Sequence, residues 1–278
     1  MSARAIRAVA RLDAAEVLRS RWLVFTLIVY GLLAGTFVFV GLRESDVIGF
    51  TGTGRVLLAF SHALVLLLPL LALSATAQVI NGARATGALE LLLSQPISRW
   101  DYFVAITLVR LALLVVPLVV VTLGIALVAN TALQQAIPWG FLGRALACST
   151  TLLVAFVGIG LLVTTLAYSQ AKAAIAVLVI WLASVALLDF GLAGMMLQWR
   201  LPAHLVFAVA AANPVETSRL ALISSADPQL ALLGPVGFYL ATRLGQSWLL
   251  VVGLAWPSLV GLGSWALAGH IFRRGDAV

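Results

Sequence analysis

The stretch FVAITLVRLALLVVPLVVVTLGIALVA, residues 103–129, contains one charged residue, Arg110, among side chains that are almost all apolar. A helix rises 1.5 Å per residue, so about 20 apolar residues cross a hydrocarbon core about 30 Å thick. The stretch lacks the alternation of polar and apolar positions that marks a barrel strand, and lipid otherwise admits only helices. It therefore predicts a membrane-spanning α-helix.

Further runs of the same kind occur along the whole chain. Of its 278 residues, 63% are hydrophobic and 10% are charged, and the mean hydropathy is +1.12, far from the balance of a soluble domain. We predict an all-α integral membrane protein with a single transmembrane domain, residues 1–278. The predicted spans are residues 22–42, 56–80, 103–129, 145–167, 173–193 and 248–272.

The net charge of +7 comes from arginine, since Lys172 is the single lysine. In a soluble protein such basicity would suggest nucleic acid, but here the arginines flank apolar runs and fix orientation, so nucleic acid is not an expected partner. Cytoplasmic termini would put most basic residues of the short segments inside, and we predict that topology. The inside residues are then Arg4, Arg7, Arg11, Arg19, Arg21, Arg84, Arg99, Lys172, Arg273 and Arg274.

Residues 4–20 have the pattern of an amphipathic helix that lies in the membrane interface. Three arginines share one helical face and three apolar residues lie roughly opposite. Asp13 falls on the apolar side, which leaves a plain basic tail as the alternative. The arginines are Arg4, Arg7 and Arg11, and the apolar residues are Ile6, Val9 and Val17.

Between the second and third runs lies INGARATGALELLLSQPISRWDYF, residues 80–103. Gly87 can begin a helix, and Pro96 disfavours helical geometry at the residue before it. Ser98 and Asp101 form a pair that resembles a capping box and opens the next span. We predict a helix of about nine residues, 87–95, about 13 Å long. Its apolar side would comprise Leu89, Leu92 and Leu93.

The long segment 194–247 should be external and partly helical. Asn213 followed by Pro214 and by Glu216 is a strong helix start. Glycine and proline near residue 235 break a later apolar run, so that neither part is long enough to cross. We expect a helical hairpin that dips back toward the bilayer, or a cap that receives a partner.

Motifs for catalysis or cofactor binding are missing from the sequence. A P-loop needs Gly-Lys-Ser/Thr, and Lys172 follows alanine. The three histidines, His62, His204 and His270, are too scattered for a metal site. Met195 and Met196 with His204 could suit copper but lack a clustered motif. We predict no catalytic, metal or directly bound cofactor site.

Asp189 is the one acid well inside a predicted span. It can serve as an interfacial acid paired with an outer arginine or water. Alternatively, it has a role in a transport pathway or a dimer contact.

The whole layout resembles the membrane subunit of an ABC-2 type transporter. The resemblance is sharpest in RATGALELLLSQPISRWDYF, which is similar to the family's Arg-Glu-x-Gly-Thr-Leu-Glu-x-Leu-Leu-x-x-Pro-x-Ser-Arg segment. Ala85 and Ala88 replace the family's Glu and Thr. The positions that match are Arg84, Gly87, Leu89, Glu90, Leu92, Pro96, Ser98 and Arg99.

This resemblance implies a type V exporter-like fold in a bacterial inner membrane, with residues 4–20 as an elbow helix and 87–95 as a coupling helix. The coupling helix would dock a separate ATPase subunit that holds ATP and magnesium. The leucine side would pack within the chain. The docking residues implied are Arg84, Gly87, Leu89, Glu90, Leu92, Leu93, Ser94, Pro96, Ser98 and Arg99.

Within the family, the coupling segment and NPVETSRLALISSADPQLALLGPVGFYL, residues 213–240, are most similar to the NosY-type permeases. That resemblance implies a homodimer with a NosF-like ATPase dimer and a periplasmic NosD-like protein, in maturation of the copper-sulfur centre of nitrous oxide reductase. The periplasmic contact would involve Asn213, Pro214, Glu216 and Arg219. Another ABC-2 exporter of drugs, lipids or polysaccharides, a secondary transporter and an embedded enzyme remain as alternatives.

Overall fold

The computed structural model of the chain describes residues 3–19, 21–45, 51–133, 139–187, 211–226 and 245–274. Within these ranges the regular structure is helical and includes no strand, which confirms the predicted all-α class for this part of the chain. The helices are α1 Ala3–Leu18, α2 Arg21–Ser45, α3 Thr51–Thr76, α4 Val79–Ala85, α5 Ala88–Leu93, α6 Arg99–Leu133, α7 Trp139–Leu166, α8 Gln170–Leu182, α9 Pro214–Ala226 and α10 Gly245–Arg274.

Four helical stretches of the described residues are long and apolar enough to cross a membrane: Ala63–Ala85, Arg99–Val128, Trp139–Leu166 and Gly245–Arg274. The apolar helical stretches at the first and fifth predicted spans are shorter, Trp22–Leu33 and Gln170–Val185. The fifth predicted span, 173–193, extends past residue 187, where a described range ends. The count of six spans therefore stays a prediction.

Helix α7 forms the centre of the bundle. Its buried residues run along the whole helix from Leu142 to Thr165, and α3, α9 and α10 pack around it. The contact with α10 is close because Gly158 faces Gly261, and a Cβ on either glycine would overlap backbone atoms of the other helix. The absence of side chains at this crossing allows the two backbones to touch.

Helix α1 packs on α6 rather than on α2, the helix that follows it in sequence. Val9 and Val17 of α1 are buried, as the amphipathic pattern predicts. An Arg110 Nη2 lies 2.7 Å from Asp13 Oδ1, and the two side chains are 13% and 11% exposed. The acid on the apolar side of α1 and the arginine inside α6 therefore form one largely buried ion pair.

Candidate functional site

Gly87 joins α4 to α5 in the left-handed conformation, with φ of 70°. Its N–H donates to the Arg84 carbonyl at 3.1 Å and closes the end of α4, while its carbonyl accepts from the Leu91 N–H at 3.2 Å and opens α5. Side chains rarely tolerate this backbone conformation, so glycine is required here. Gly87 thus sets the angle between the two helices.

Helix α5 spans Ala88–Leu93, so it is shorter than the predicted helix 87–95. The Gln95 N–H donates to the Leu92 carbonyl at 3.2 Å, which tightens the last turn. Pro96 then holds Gln95 out of helical geometry. Six residues give a helix of about 9 Å, and the predicted length of about 13 Å was wrong because the last residues belong to the turn.

One side of α5 packs against the bundle. Leu89 is fully buried, and Leu92 and Leu93 are partly buried against the same core cluster. The predicted packing side is therefore observed. Burying a leucine contributes about 1.5–3 kcal/mol, so this side anchors a helix too short to be stable alone.

The opposite side of α5 is open. Leu91 is 72% exposed, and Glu90, Ser94, Pro96 and Ser98 are exposed beside it. Leu91 was not predicted as a docking residue, although its spacing places it on the side of the helix opposite Leu89. Two residues correspond to about 200° around a helix. Leu91 thus adds an apolar group to a surface that is otherwise polar. We call this surface, Glu90, Leu91, Ser94, Pro96 and Ser98, the α5 face.

The chain from α5 to α6 is short and capped. Ser98 Oγ accepts from the Asp101 N–H at 3.0 Å, and the Ser98 carbonyl accepts from the Tyr102 N–H at 3.1 Å. The predicted cap on the Ser98 side is therefore observed. Arg99, the first residue of α6, is half-buried.

The first turns of α6 are fixed to the last turns of α10 by aromatic side chains. The ring centroids of Trp100 and Trp265 lie 5.3 Å apart, and those of Phe103 and Phe272 lie 5.8 Å apart. Trp265 Nε1 also donates to Thr107 Oγ1 at 3.0 Å. Tightly packed contacts of this kind transmit displacement, so α6 and α10 should move together.

Arg84 occupies the last turn of α4 and is half-buried. Its Nη1 is enclosed and has no hydrogen-bond partner among the residues that the structure describes, and its guanidinium lies close enough to the Tyr102 hydroxyl of α6 for an electrostatic interaction. Among the predicted docking residues, Arg84 therefore lies on the bundle side of the α5 segment. Leu89 is likewise internal, whereas the α5 face is accessible.

At the other end of the bundle, α9 begins as the sequence predicts. Asn213 Oδ1 accepts from the Val215 N–H at 3.0 Å, so Asn213 caps the helix and Pro214 is its first residue. The Asn213 Nδ2 also donates to the Ser184 carbonyl at 2.6 Å. Ser184 belongs to a π-helical turn, Ala183–Leu187, that extends α8. The cap therefore joins α9 to α8.

Helix α9 lies along the bundle. Trp256 Nε1, about three turns inside α10, donates to the Ala212 carbonyl at 3.0 Å. At the far end of α9, Arg144 Nη2 reaches the Ser225 carbonyl at 3.5 Å. The start of α9 is thus deeper in the bundle than its end. Residues 194–210 and 227–244 lie outside the described residues.

The side chains predicted to meet a periplasmic partner are mostly internal. Asn213 and Glu216 are buried, and Arg219 Nη2 pairs with Glu216 Oε2 at 2.5 Å. The Arg219 side chain is 15% exposed. These residues position α9 within this chain, and their contact with a partner stays a prediction.

Asp189, Met195, Met196 and His204 lie outside the described residues, so the predicted role of Asp189 stays a prediction. Within the ranges that the structure covers, no group of three or more His, Cys, Asp or Glu side chains could hold a metal ion.

A family model described as ABC-2 family transporter protein matches residues 7–256. The chain belongs to this family. It is therefore the membrane component of an ABC transporter and a multi-pass membrane protein. The match includes most of α1, the α5 segment and α9, and in ABC transporters ATP hydrolysis is carried out by a separate subunit.

Two relatives are similar to this ABC-2 chain over almost their full length, and both are named "Probable ABC transporter permease protein NosY". The protein from Pseudomonas aeruginosa is 27% identical over 96% of this chain and 97% of its own. The protein from Stutzerimonas stutzeri is 26% identical over 96% of this chain and 97% of its own.

Proposed function

We propose that this chain is the permease of an ABC transporter whose separate ATPase subunits bind the α5 face. In this proposal six helices cross a bacterial inner membrane with both termini in the cytoplasm. Two copies of the chain form a homodimer with an ATPase dimer. The chain itself performs no catalysis and receives its energy through α5.

The contacts of the α5 segment support this role. Leu89 anchors the helix and Gly87 fixes its angle, so a force on the α5 face is passed on rather than lost in a flexible loop. The short capped link carries that displacement to α6, and the aromatic contacts carry it to α10. Because α9 packs along α10 and α7, the movement reaches the far end of the bundle.

The observation that carries the proposal is the contrast between Leu89 and Leu91 on one helix: 0% and 72% exposed. We expect Leu91→Ala to weaken co-purification of the ATPase subunit and to lower vanadate-sensitive ATP hydrolysis of the complex at least about tenfold, because full burial of a leucine side chain contributes about 1.5–3 kcal/mol. The control is Leu259→Ala in α10, which truncates a leucine that is 62% exposed elsewhere.

In matched preparations, Leu91→Ala should lose the ATPase subunit and its activity, whereas Leu259→Ala should retain both. If Leu91→Ala and the double variant Glu90→Ala/Ser94→Ala both retain the ATPase and its activity, the α5 face is not the docking surface. Equal losses from Leu91→Ala and Leu259→Ala would point to general instability and would also count against the proposal.

The similarity to the two NosY proteins supports a narrower role in maturation of the copper-sulfur centre of nitrous oxide reductase, with a NosF-like ATPase and a periplasmic NosD-like protein as partners. The periplasmic contact would be made by α9 and its neighbours. We expect this chain to restore nitrous oxide reduction in a Stutzerimonas stutzeri strain that lacks its own NosY. Failure despite a stable complex with the ATPase would favour another ABC-2 exporter.

A further inference from the structure

Helix α1 has a basic face that points away from the bundle. Arg4, Arg7 and Arg11 lie within about 60° of one another around the helix, and all three are exposed. None of them makes an ion pair within the described part of the chain. The face therefore carries three uncompensated positive charges.

The orientation of this face is fixed by the opposite side of α1. Val9 and Val17 are buried, and Asp13 is held by Arg110 of α6 at 2.7 Å. Of the two acids of α1, Asp13 is thus turned into the protein, while the exposed Glu16 lies about 120–180° around the helix from the three arginines. Rotation of α1 would break the ion pair and expose the two valines, so the arginines are kept outward.

Exposed leucines accompany the arginines. Leu18 lies in the same arc and is 60% exposed, and Leu12, about 80° from Arg4 around the helix, is 62% exposed. These two leucines add apolar area beside the basic groups. Arginines beside leucines fit the boundary between lipid headgroups and acyl chains.

The position of α1 in the chain confines it to that boundary. It ends at Leu18, and α2 begins at Arg21. The exposed side of α2 is apolar from its first turns, with Val24, Phe25 and Ile28 more than half exposed. So short a link cannot carry α1 far from the membrane surface.

We propose that the face formed by Arg4, Arg7, Arg11, Leu12 and Leu18 binds the phosphate groups of anionic phospholipids in the leaflet at the α5 end of the bundle. Asp13 and Arg110 act as positioning residues that hold the face toward the lipid. The proposal rests on the proposed function in one respect, the cytoplasmic location of α1.

The test uses the full chain purified with its ATPase subunit and titrated with phosphatidylglycerol or phosphatidylcholine in native mass spectrometry. We expect the wild type to prefer phosphatidylglycerol. Arg7→Gln/Arg11→Gln should reduce that preference at least about tenfold, because each basic group near a lipid surface contributes to the attraction. Arg7→Lys/Arg11→Lys should retain it, since lysine also binds phosphate as a point charge.

The matched control is Arg273→Gln/Arg274→Gln, which removes two exposed arginines at the end of α10 and the same net charge. This control should keep the lipid preference. An unchanged preference in Arg7→Gln/Arg11→Gln, or equal losses in the two glutamine pairs, would overturn the proposal.

ATPase retention in the same spectra separates the two hypotheses. Loss of the ATPase with unchanged phosphatidylglycerol binding in Arg7→Gln/Arg11→Gln would make the face a protein contact and overturn the lipid proposal. A wild-type chain that binds phosphatidylglycerol but never retains an ATPase would contradict the proposed function and support the lipid proposal.

Discussion

Asp13 and Arg110 each depart from the pattern of the helix that carries them, and the structure shows that the two departures belong together. Burial raises the pKa of the Asp13 carboxyl, the Arg110 guanidinium opposes that shift, and Glu16 adds to it. Asp13 Oδ2 and Arg110 Nε are buried and have no hydrogen-bond partner in the described part of the chain. Removal of one partner should therefore lower the stability of the fold strongly. Replacement of both charged residues by apolar ones should change it much less.

We expect Arg110→Met to lower the free energy of unfolding by about 3 kcal/mol, because Asp13 is left buried and unpaired. Asp13→Leu/Arg110→Met should recover most of that loss, since it replaces both charges by apolar groups. Thermal unfolding of the purified chain in one detergent measures both. A double variant less stable than Arg110→Met would contradict this account.

The same pair predicts a pH dependence. A carboxyl whose pKa is raised by folding stabilises the fold at low pH, and that contribution is lost as pH rises through the raised pKa. Removing Arg110 removes the opposing influence, so in thermal unfolding the stability of Arg110→Met should fall more steeply than that of the wild type as pH rises above the ordinary carboxyl range. The double variant lacks Asp13 and should lose this extra slope.

Among the helices, α7 and α10 depend on backbone contact at Gly158 and Gly261. A Cβ on Gly261 would lie 2.5 Å from the Val154 carbonyl oxygen and 2.7 Å from the Ala155 Cα. Neither atom can move without shifting α7, the central helix. The spacing between these helices is therefore set by the lack of side chains rather than by interlocking ones.

We expect Gly261→Ala to lower the free energy of unfolding by at least about 2 kcal/mol through overpacking. At Gly263, two residues along the same helix, no described residue lies within 4 Å of an added Cβ, so Gly263→Ala should be neutral or stabilising. Thermal unfolding of the two variants in one detergent provides the comparison. Similar stabilities of the two variants would show that α7 and α10 can move apart without a loss in the free energy of unfolding.

For the chain as a whole, the decisive property is which side of the membrane α5 occupies. Cys148, the single cysteine, is fully buried, so it can be replaced by alanine to leave a background for introduced cysteines. We expect Ser94→Cys to react with an impermeant maleimide only after spheroplasts are opened. Gly140→Cys, an exposed position at the start of α7, should react in intact spheroplasts. Labelling of residue 94 in intact spheroplasts would refute the docking role.

Much of the local architecture could be predicted from neighbouring residues. Gly87 between two helices, the Ser98 cap, the Asn213 cap and the leucine side of α5 all depend on spacings of a few positions, and all are observed. The C-terminal end of α5 was harder to predict, because a turn closed by an i→i−3 hydrogen bond and a further α-helical turn have similar sequence patterns.

The sequence by itself determined that this chain is helical, enters a membrane and has a short leucine-bearing helix between two long apolar runs, because composition and periodicity act over one or a few turns. Only the tertiary structure decided that Asp13 pairs with Arg110, that Gly158 meets Gly261 and that Asn213 reaches Ser184. These pairs lie far apart in the sequence, so no local pattern specifies them. The packing of whole helices brings them together.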